Sequence, residues 1–314
     1  MRQFTLEKHI KLAITVIQRE KMKLFRKTHT YMKMVFLYLT KRIVRREDYR
    51  AEYNIVASTY HNWLNKMNKH TNIILKIDHL KSRKNIHILD FACGTGYLSA
   101  AILSSLKDST MKINAVDISD KMIEIAKGKI SDPRCSFLVQ DGTDFLIGEE
   151  DEKYDAIFCG YALPYFNHKK VIKEFHRILK KEGTAHFILN CRGTLKGIDE
   201  IYIDTMKEFP SSMNKIMEIR YQLPKNQNEL KSWFERRYFS TVFLDTVEEF
   251  VSFNTPEELY NWLKETGAIA GTGHIFSEDK KIEESIVTKI KNRCQFEDKY
   301  LINHKFVQGI FKKE

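Results

Sequence analysis

Proline and cysteine are scarce in this sequence, with five of each among 314 residues. The cysteines are odd in number and scattered, and no two of them form a Cys-x-x-Cys pair: they are Cys93, Cys135, Cys159, Cys191 and Cys294. This pattern argues against a disulfide framework or a zinc site and predicts reduced thiols in the cytoplasm. No apolar run reaches the roughly 18 residues of a membrane-spanning helix. The N-terminal stretch lacks the short apolar core and small-residue cleavage site of a signal peptide, so we expect none.

The positive charge of the chain is concentrated at its N-terminal end. The formal net charge is +11 at pH 7, and residues 1–50 supply +10 of it, with 14 Lys and Arg against 4 Asp and Glu. The other residues carry 38 basic against 37 acidic side chains, so the remainder of the chain is close to neutral. The hydrophobic share of 43% is typical of a globular protein and not of a disordered one.

Residues 1–47 contain neither glycine nor proline and predict one or two basic helices. We expect this extension to pack on the core or on a second subunit of a homodimer. A peripheral membrane contact is an alternative, because basic amphipathic helices bind anionic surfaces. A nucleic-acid partner is not expected but stays open, as does disorder of the extension.

A strand, a glycine-containing turn and a helix are predicted over residues 86–98, which read Ile-His-Ile-Leu-Asp-Phe-Ala-Cys-Gly-Thr-Gly-Tyr-Leu. The apolar run leads into Asp90, and Gly94 and Gly96 lie in the turn. Glycine has no Cβ, so backbone N–H groups and a helix N-terminus can approach a ligand closely at such a turn. The segment therefore predicts a ligand site at the carboxyl end of a strand.

Carboxylates also follow the next two predicted strands. Asp117 ends the run 113–116, 27 residues after Asp90, where an acidic side chain of a doubly wound sheet can bind both ribose hydroxyls of a nucleoside. Asp141 follows the run 136–139 and can accept a hydrogen bond from an adenine amino group. A fourth apolar run then leads into Gly-Tyr-Ala-Leu-Pro-Tyr at residues 160–165.

These motifs resemble those of the class I S-adenosylmethionine-dependent methyltransferases. Residues 89–96 are similar to the family's first motif. Residues 116–119, together with Met122, are similar to its ribose and adenine motif, and residues 140–142 are similar to its adenine-edge motif. The resemblance covers roughly residues 51–192.

The sequence departs from the family pattern at one position. Ala92 stands where the family usually has its first glycine. A nicotinamide-binding Rossmann domain is the alternative, but its Gly-x-Gly-x-x-Gly fingerprint would need a glycine at position 99, which is serine.

The resemblance implies S-adenosyl-L-methionine as cofactor and assigns parts of it to particular residues. Asp90, Gly94 and Gly96 would shape the methionine and ribose site, and Asp117 would hold the ribose. Ile118 and Met122 would sandwich the adenine, and Asp141 would hold its amino group. The complete predicted cofactor set is Tyr53, Tyr60, Asp90, Ala92, Cys93, Gly94, Gly96, Asp117, Ile118, Met122, Asp141, Gly142, Cys159 and Gly160.

Two groups of aromatic residues are expected near the reacting methyl. Tyr53 and Tyr60 share one helical face, and the resemblance implies that their segment folds over the cofactor, although plain core packing is an alternative. The residues after the fourth strand supply the catalytic candidates Tyr161, Tyr165 and His168, of which Tyr165 and His168 could be general bases. A polar residue at a helix start is the other interpretation of His168.

Alternating strands and helices from residue 86 to 190 predict an α/β fold. We expect a doubly wound, mostly parallel seven-stranded sheet with strand six at 270–276 and an antiparallel last strand at 304–311, at the sheet's edge. The segment after strand five, including strand-like alternation at 238–243, is interpreted as a cap over the substrate opening. The predicted domains are a basic helical extension (1–50), a cofactor-binding core (51–192), a substrate cap (193–254) and the C-terminal part of the core sheet (255–314).

The predicted function is transfer of a methyl group by in-line displacement to nitrogen or oxygen of a small or peptide-like acceptor. Positioning and exclusion of water carry such a reaction, so no particular acid or base is required. Motifs for exocyclic-amine methylation, cytosine C5 methylation and magnesium-dependent catechol methylation are absent, so we predict no metal. The alternatives are an RNA methyltransferase that grips RNA with the basic arm, and a non-catalytic cofactor-binding partner subunit.

Overall fold

The computed structural model describes residues 21–22, 24–107, 110–217 and 222–314. Predictions for residues 1–20 lie outside this part of the chain. Residues 24–39 are helical and are called α1. The other helices are α2 (Arg46–Val56), α3 (His61–Thr71), α4 (Tyr97–Ser105), α5 (Asp120–Lys129), α6 (Gly142–Gly148), α7 (His168–Ile178), α8 (Lys196–Glu208), α9 (Gln227–Glu235), α10 (Pro256–Glu265) and α11 (Lys280–Arg293).

The strands form a single sheet in the order β3-β2-β1-β4-β5-β8-β6, and β7 pairs with β8. Neighbours from β3 to β5 run parallel, whereas β8 runs antiparallel to both β5 and β6. The strands are β1 (Ile86–Phe91), β2 (Met111–Asp117), β3 (Cys135–Val139), β4 (Tyr154–Gly160), β5 (Leu179–Asn190), β6 (Phe239–Phe253), β7 (Gln295–Phe296) and β8 (Lys299–Lys313).

The central strands are apolar because both faces of the sheet are covered. Every residue of β1 except His87 is buried, and so is every residue of β4 except its last, Gly160. Parallel strands with helices on both faces have such near-continuous apolar sequences. The predicted α/β class, the mostly parallel sheet and the antiparallel last strand are confirmed.

Two predictions about the end of the sheet are wrong. Residues 270–276 form no strand: a short 3₁₀ turn, Thr272–His274, occupies them. Gly271 precedes this turn at φ +93°, a left-handed conformation that interrupts extended backbone. The last strand, β8, is antiparallel as predicted, but it lies between β5 and β6 and not at the edge.

The segment 193–254 does not form a cap as a whole. Fifteen of its residues, Phe239–Phe253, are β6, which pairs with β8 with one irregularity between Thr241 and Phe243 and forms the sheet edge. Phe234 of α9 stacks on Phe311 of β8 with ring centroids 3.9 Å apart, so α9 covers one face of this end of the sheet. This segment therefore contributes a helix and a strand to the core. The alternation at 238–243 indicated the strand but not its position in the sheet.

Helix α1 contacts the body of the protein through a narrow face. Leu37 is fully buried, and the Thr30 hydroxyl lies 3.4 Å from the carbonyl oxygen of Met206 in α8. Across the described ranges, none of the helices combines the length and the apolar character that crossing a bilayer requires.

Candidate functional site

A cleft opens at the carboxyl ends of β1, β2 and β4, and α2 lies over it. It contains about 810 Å³ of unfilled space, part of it open to solvent. Ligands of doubly wound sheets bind at this edge. The lining residues are Arg46, Tyr49, Tyr53, Tyr60, Ala92, Gly94, Val116, Asp117, Ile118, Met122, Asp141, Gly142, Gly160, Tyr161, Ala162, Tyr165 and Phe166.

The turn after β1 requires left-handed backbone at three positions. Ala92, Gly94 and Gly96 have φ of +57°, +54° and +77°. Alanine adopts this conformation at a cost of roughly 1–2 kcal/mol, so the departure from glycine at position 92 stores strain in the turn. Gly96 has a second role, because a Cβ there would lie 3.0 Å from Ile130 and 3.1 Å from Ala126.

Asp117 is fixed by the turn that it faces. Its Oδ2 accepts a hydrogen bond from the Gly94 N–H at 2.9 Å, and its Oδ1 accepts one from the Ser119 N–H at 2.9 Å. Burial raises the pKa of this carboxyl, and the backbone donors oppose that rise. Each oxygen has a further lone pair, so the carboxylate can still accept from two hydroxyl groups in the cleft.

Asp141 combines a helix cap with an ion pair. Its Oδ1 accepts from the N–H groups of Thr143 and Asp144, which caps α6. Its Oδ2 lies 2.9 Å from Nη1 of Arg46 on α2. A ligand amino group at Asp141 would therefore share this oxygen with Arg46.

Asp90 lies beneath the turn and not on the cleft surface. Its Oδ2 accepts from the Ser99 N–H at 3.0 Å and from the Ser99 hydroxyl at 2.6 Å, while Oδ1 has no hydrogen-bond partner. Complete burial raises the pKa of Asp90 to about 6. The carboxyl positions the start of α4 behind the glycine turn.

Tyrosines line the other end of the cleft. The hydroxyls of Tyr53 and Tyr165 are 2.8 Å apart, and the rings of Tyr53 and Tyr60 meet edge to face with centroids 6.3 Å apart. Burial raises the pKa of Tyr53, Tyr60 and Tyr161, and it raises the pKa of Tyr165 to about 12. The four phenols are therefore protonated at neutral pH. One hydroxyl of the Tyr53–Tyr165 pair donates to the other, so one donor of that pair remains, and the Tyr60 hydroxyl can also donate into the cleft.

The position of Tyr161 depends on an uncommon backbone conformation. It has φ +61°, left-handed for a bulky residue, directly after β4. Its N–H donates to the Ile188 carbonyl at 2.6 Å, and its hydroxyl lies 3.3 Å from the Thr71 hydroxyl. Such strain is retained where the surroundings enforce it, which is common at functional sites.

Helix α2 is attached to the rim of the cleft by polar contacts besides the Arg46–Asp141 pair. Arg50 and Asn54 both contact Oδ1 of Asp120, each at 2.9 Å. The Ser119 hydroxyl donates to Oδ1 of Asn54 at 2.5 Å, and the same hydroxyl accepts from the Met122 N–H at 3.1 Å. The start of α5 and the covering helix are thus joined at one point.

Twelve of the seventeen predicted site residues line this one cleft. They are Tyr53, Tyr60, Ala92, Gly94, Asp117, Ile118, Met122, Asp141, Gly142, Gly160, Tyr161 and Tyr165. Asp90 and Gly96 support the cleft from behind, as described. No part of 193–254 that the structure describes lines the cleft, whereas Arg46, Tyr49 and Tyr53 of α2 do.

Three predicted site residues have their side chains elsewhere. Cys93 packs in a small cluster with Ala115 and Ile123, and Cys159 is fully buried in the core on the other side. His168 stacks on Trp233 of α9 with ring centroids 3.9 Å apart, outside the cleft lining. The side chain of His168 therefore does not line the cleft, and its position at the start of α7 agrees with the other interpretation, a polar residue at a helix start.

Sequence reasoning missed Arg46 and Tyr49. Both lie within the stretch that its basic composition assigned to the N-terminal extension. A signal for them was present, because residues 46, 49, 53 and 60 follow helical spacing and so continue the face that carries Tyr53.

Comparison with known proteins agrees with this geometry. Residues 88–183 match a family model described as a methyltransferase domain. The malonyl-acyl-carrier-protein O-methyltransferase of Priestia megaterium is 27% identical over 197 residues, covering 56% of this chain and 70% of that protein. A second such enzyme, from Ilyobacter polytropus, is 35% identical over 133 residues, covering 42% of this chain and 47% of its own.

The fold has counterparts among solved structures. The YcgJ protein of Bacillus subtilis aligns with a TM-score of 0.51 at 17% identity, covering 78% of this chain and 99% of that one. The chain spans about half the length of the second of these curated relatives.

Proposed function

We infer the reaction from one premise: the chain belongs to the class I, Rossmann-like S-adenosylmethionine-dependent methyltransferases. We propose that it methylates an oxygen or nitrogen atom of a small-molecule acceptor in the cleft under α2, without a metal ion. Within that class we favour a carboxylate oxygen as the acceptor.

The carboxylate end of the cleft suits the adenosyl part of the cofactor. Asp117 would accept from both ribose hydroxyls, since each of its oxygens has a lone pair beyond its backbone donor. Ile118 and Met122 supply apolar surface for the adenine, and Asp141 supplies the acceptor at its edge. Gly94 leaves room for close approach, because the nearest atom to a Cβ there would be 3.9 Å away, on Tyr60.

The tyrosine end suits the acceptor. Bound S-adenosylmethionine supplies an electrophilic methyl group on a sulfonium. Tyr53, Tyr60, Tyr161 and Tyr165 surround the space next to the glycine turn, exclude water from it and present protonated hydroxyls. Groups of this kind orient an acceptor by donating hydrogen bonds, and orientation alone can supply a large part of the rate.

The protonation of these phenols favours an acceptor that needs no base. A phenol whose pKa is about 12, as for Tyr165, is a poor proton acceptor at neutral pH. A carboxylate is already deprotonated at neutral pH, so its oxygen can attack the methyl group without a base. Two phenol donors can bind one of its oxygens while the other faces the methyl. The similar proteins of Priestia megaterium and Ilyobacter polytropus are named O-methyltransferases of a malonyl group, which agrees with an oxygen acceptor.

One observation carries the proposal of a small acceptor: α2 covers the cleft. The Arg46–Asp141 pair and the contacts of Arg50 and Asn54 with Asp120 hold this helix at the rim of the cleft. A site covered in this way suits a small molecule or the end of a carrier-bound chain.

Transfer of a labelled methyl group tests the proposal. Full-length protein is incubated with methyl-labelled S-adenosylmethionine and three acceptor panels: carboxylates including malonyl thioesters, amines, and phenols. We expect base-labile methyl ester label in the carboxylate panel, and loss of that label with Asp117→Asn. Label confined to amines would contradict the carboxylate preference, and label in none of the panels would contradict the small-molecule proposal.

A further inference from the structure

Helix α1 turns its largest apolar side chains away from the protein. Leu24 is 66% exposed, Phe25 69%, Met32 67% and Leu39 73%. Exposed apolar residues scattered singly are ordinary, but a contiguous apolar patch marks a surface that something covers.

These side chains form one continuous stripe. Leu24, Thr28, Tyr31, Val35 and Leu39 follow each other at intervals of three and four residues, which places them along one line of the helix. All five are exposed, and only Thr28 among them is polar. Further exposed apolar side chains widen the stripe on both sides: Phe25, Met32, Phe36 and Tyr38. Sixteen residues of helix make the stripe about 24 Å long.

Cations and no anions accompany this stripe. Between Glu20 and Glu47 the sequence contains no Asp or Glu. Arg26, Lys27 and Lys33 lie on the flanks of the helix, between the apolar stripe and the face that packs on the body. The Lys33 ammonium lies 5.9 Å from the centre of the Phe36 ring, so cationic and aromatic groups meet at the border of the stripe.

We propose that α1 lies on an anionic lipid surface, with its apolar stripe in the interface and its flanking cations at the lipid phosphates. Interfacial helices have this composition: an apolar face with aromatic residues, basic residues beside it and no need to span the bilayer. Anionic leaflets attract such clusters of Lys and Arg.

The charges argue against a second copy of the chain as the occupant. A two-fold contact places the same patch of both copies face to face. It would bring together two extensions that each carry +10 over residues 1–50, with no acidic residue between 21 and 46 to offset them. RNA is disfavoured for a different reason. To bind RNA phosphates, the cations would have to project from the exposed face of the helix, and that face is apolar.

Flotation of full-length protein with vesicles tests this surface. One set of vesicles is pure phosphatidylcholine, and the other has about one third of it replaced by phosphatidylglycerol, at low and at high salt. We expect at least about tenfold stronger binding to the anionic vesicles, weakened by salt. The variant Phe25→Gln/Met32→Gln/Leu39→Gln should lose at least about tenfold of that binding.

A matched variant changes equally exposed apolar residues elsewhere. Ile147, Phe250 and Phe296 are 67%, 61% and 61% exposed and lie outside the cleft lining. Ile147→Gln/Phe250→Gln/Phe296→Gln should bind anionic vesicles as the unchanged protein does.

Four results would overturn the proposal. They are absence of vesicle binding, equal binding by the α1 variant, a dimer that only the α1 variant dissociates, and RNA binding that only the α1 variant loses. None of these outcomes depends on methyl transfer, so the proposed reaction and the proposed surface succeed or fail separately.

Discussion

The guanidinium of Arg46 reaches across the mouth of the cleft to Asp141, with Nη1 2.9 Å from Oδ2. The two residues are 95 positions apart in the sequence. One begins the helix that covers the cleft, and the other caps the helix that follows β3. This ion pair connects the cover of the cleft to the place where an adenine amino group would bind, so cofactor retention and closure should be coupled.

Replacing Arg46 with Gln should release this connection. The Arg46 side chain is 51% exposed, so the pair contributes little to stability, about 0–1 kcal/mol. We expect S-adenosylmethionine to dissociate several-fold faster, because α2 loses its hold on Asp141. Stopped-flow measurement of cofactor release checks this, and Arg45→Gln is the matched control. Equal release rates for both variants would contradict a role of the pair in closure.

Replacing Asp117 with Asn should impair cofactor binding strongly. An Asn amide cannot accept at both of its polar atoms, so it cannot receive both backbone donors and two ribose hydroxyls. Hydrogen bonds to a charged group contribute about 1.5–3 kcal/mol each, which predicts roughly 100-fold weaker binding.

Calorimetric titration measures this affinity, and a melting curve without cofactor reports whether the fold is retained. Asp144→Asn, at an exposed position in the same sheet edge region, is the control. An unchanged dissociation constant for Asp117→Asn would refute the ribose assignment.

Replacing Ala92 with Gly should stabilise the protein. Ala92 is held at φ +57°, where alanine is strained and glycine is not. We expect a gain on the order of 1 kcal/mol in the free energy of unfolding, measured by denaturant titration. Ala100→Gly, in the exposed interior of α4, should instead cost about 0.5–1 kcal/mol. A loss of stability at both sites would show that the turn carries no strain at position 92.

Asp90 should make the folded state less stable as the pH rises. Burial raises its pKa to about 6, whereas an unfolded Asp titrates near 3.9. Between about pH 4 and pH 6 the folded protein therefore holds this proton more tightly than the unfolded chain does. Its ionisation costs stability progressively over that window, on the order of 3 kcal/mol above it.

Asp90→Asn removes that cost and keeps an oxygen that can accept from Ser99. The free energy of unfolding of the variant, relative to the unchanged protein, should rise between pH 4 and pH 7. Denaturant titrations across this range measure the difference. A difference in the free energy of unfolding that stays constant between pH 4 and pH 7 would mean that Asp90 does not titrate with a raised pKa.

Replacing Tyr165 with Phe should slow methyl transfer without weakening cofactor binding. Under the proposed function the lost hydroxyl would donate to a charged acceptor, which predicts a fall in kcat/KM of about 10–100-fold. Because the pKa of Tyr165 is about 12, we expect no ionisation of this phenol in the rate profile between pH 7 and 9. Tyr238→Phe, at a site 74% exposed, should leave kcat/KM unchanged. An equal fall in cofactor affinity would indicate that Tyr165 contacts the cofactor and not the acceptor.

Most of the cleft could be predicted because chain order decides which strand ends meet. Asp117 ends a strand, and Gly94 and Asp141 lie within three residues of the end of one. Parallel strands bring their carboxyl ends to one edge of the sheet. The direction of each side chain was harder to predict from the sequence, since Cys93 and Cys159 border the same turns but face the core. His168 follows the fourth strand as expected, yet its ring stacks on a residue 65 positions later.

The sequence alone determined the parallel sheet and the carboxylates at its edge, because these depend on local apolar runs and on the residues at the end of each run. Only the tertiary structure decided which helix covers the cleft, that β6 forms the sheet edge, and that α1 exposes its apolar stripe. Those features depend on contacts between segments far apart in the chain, where several packings satisfy the same local pattern and only the complete set of contacts selects one.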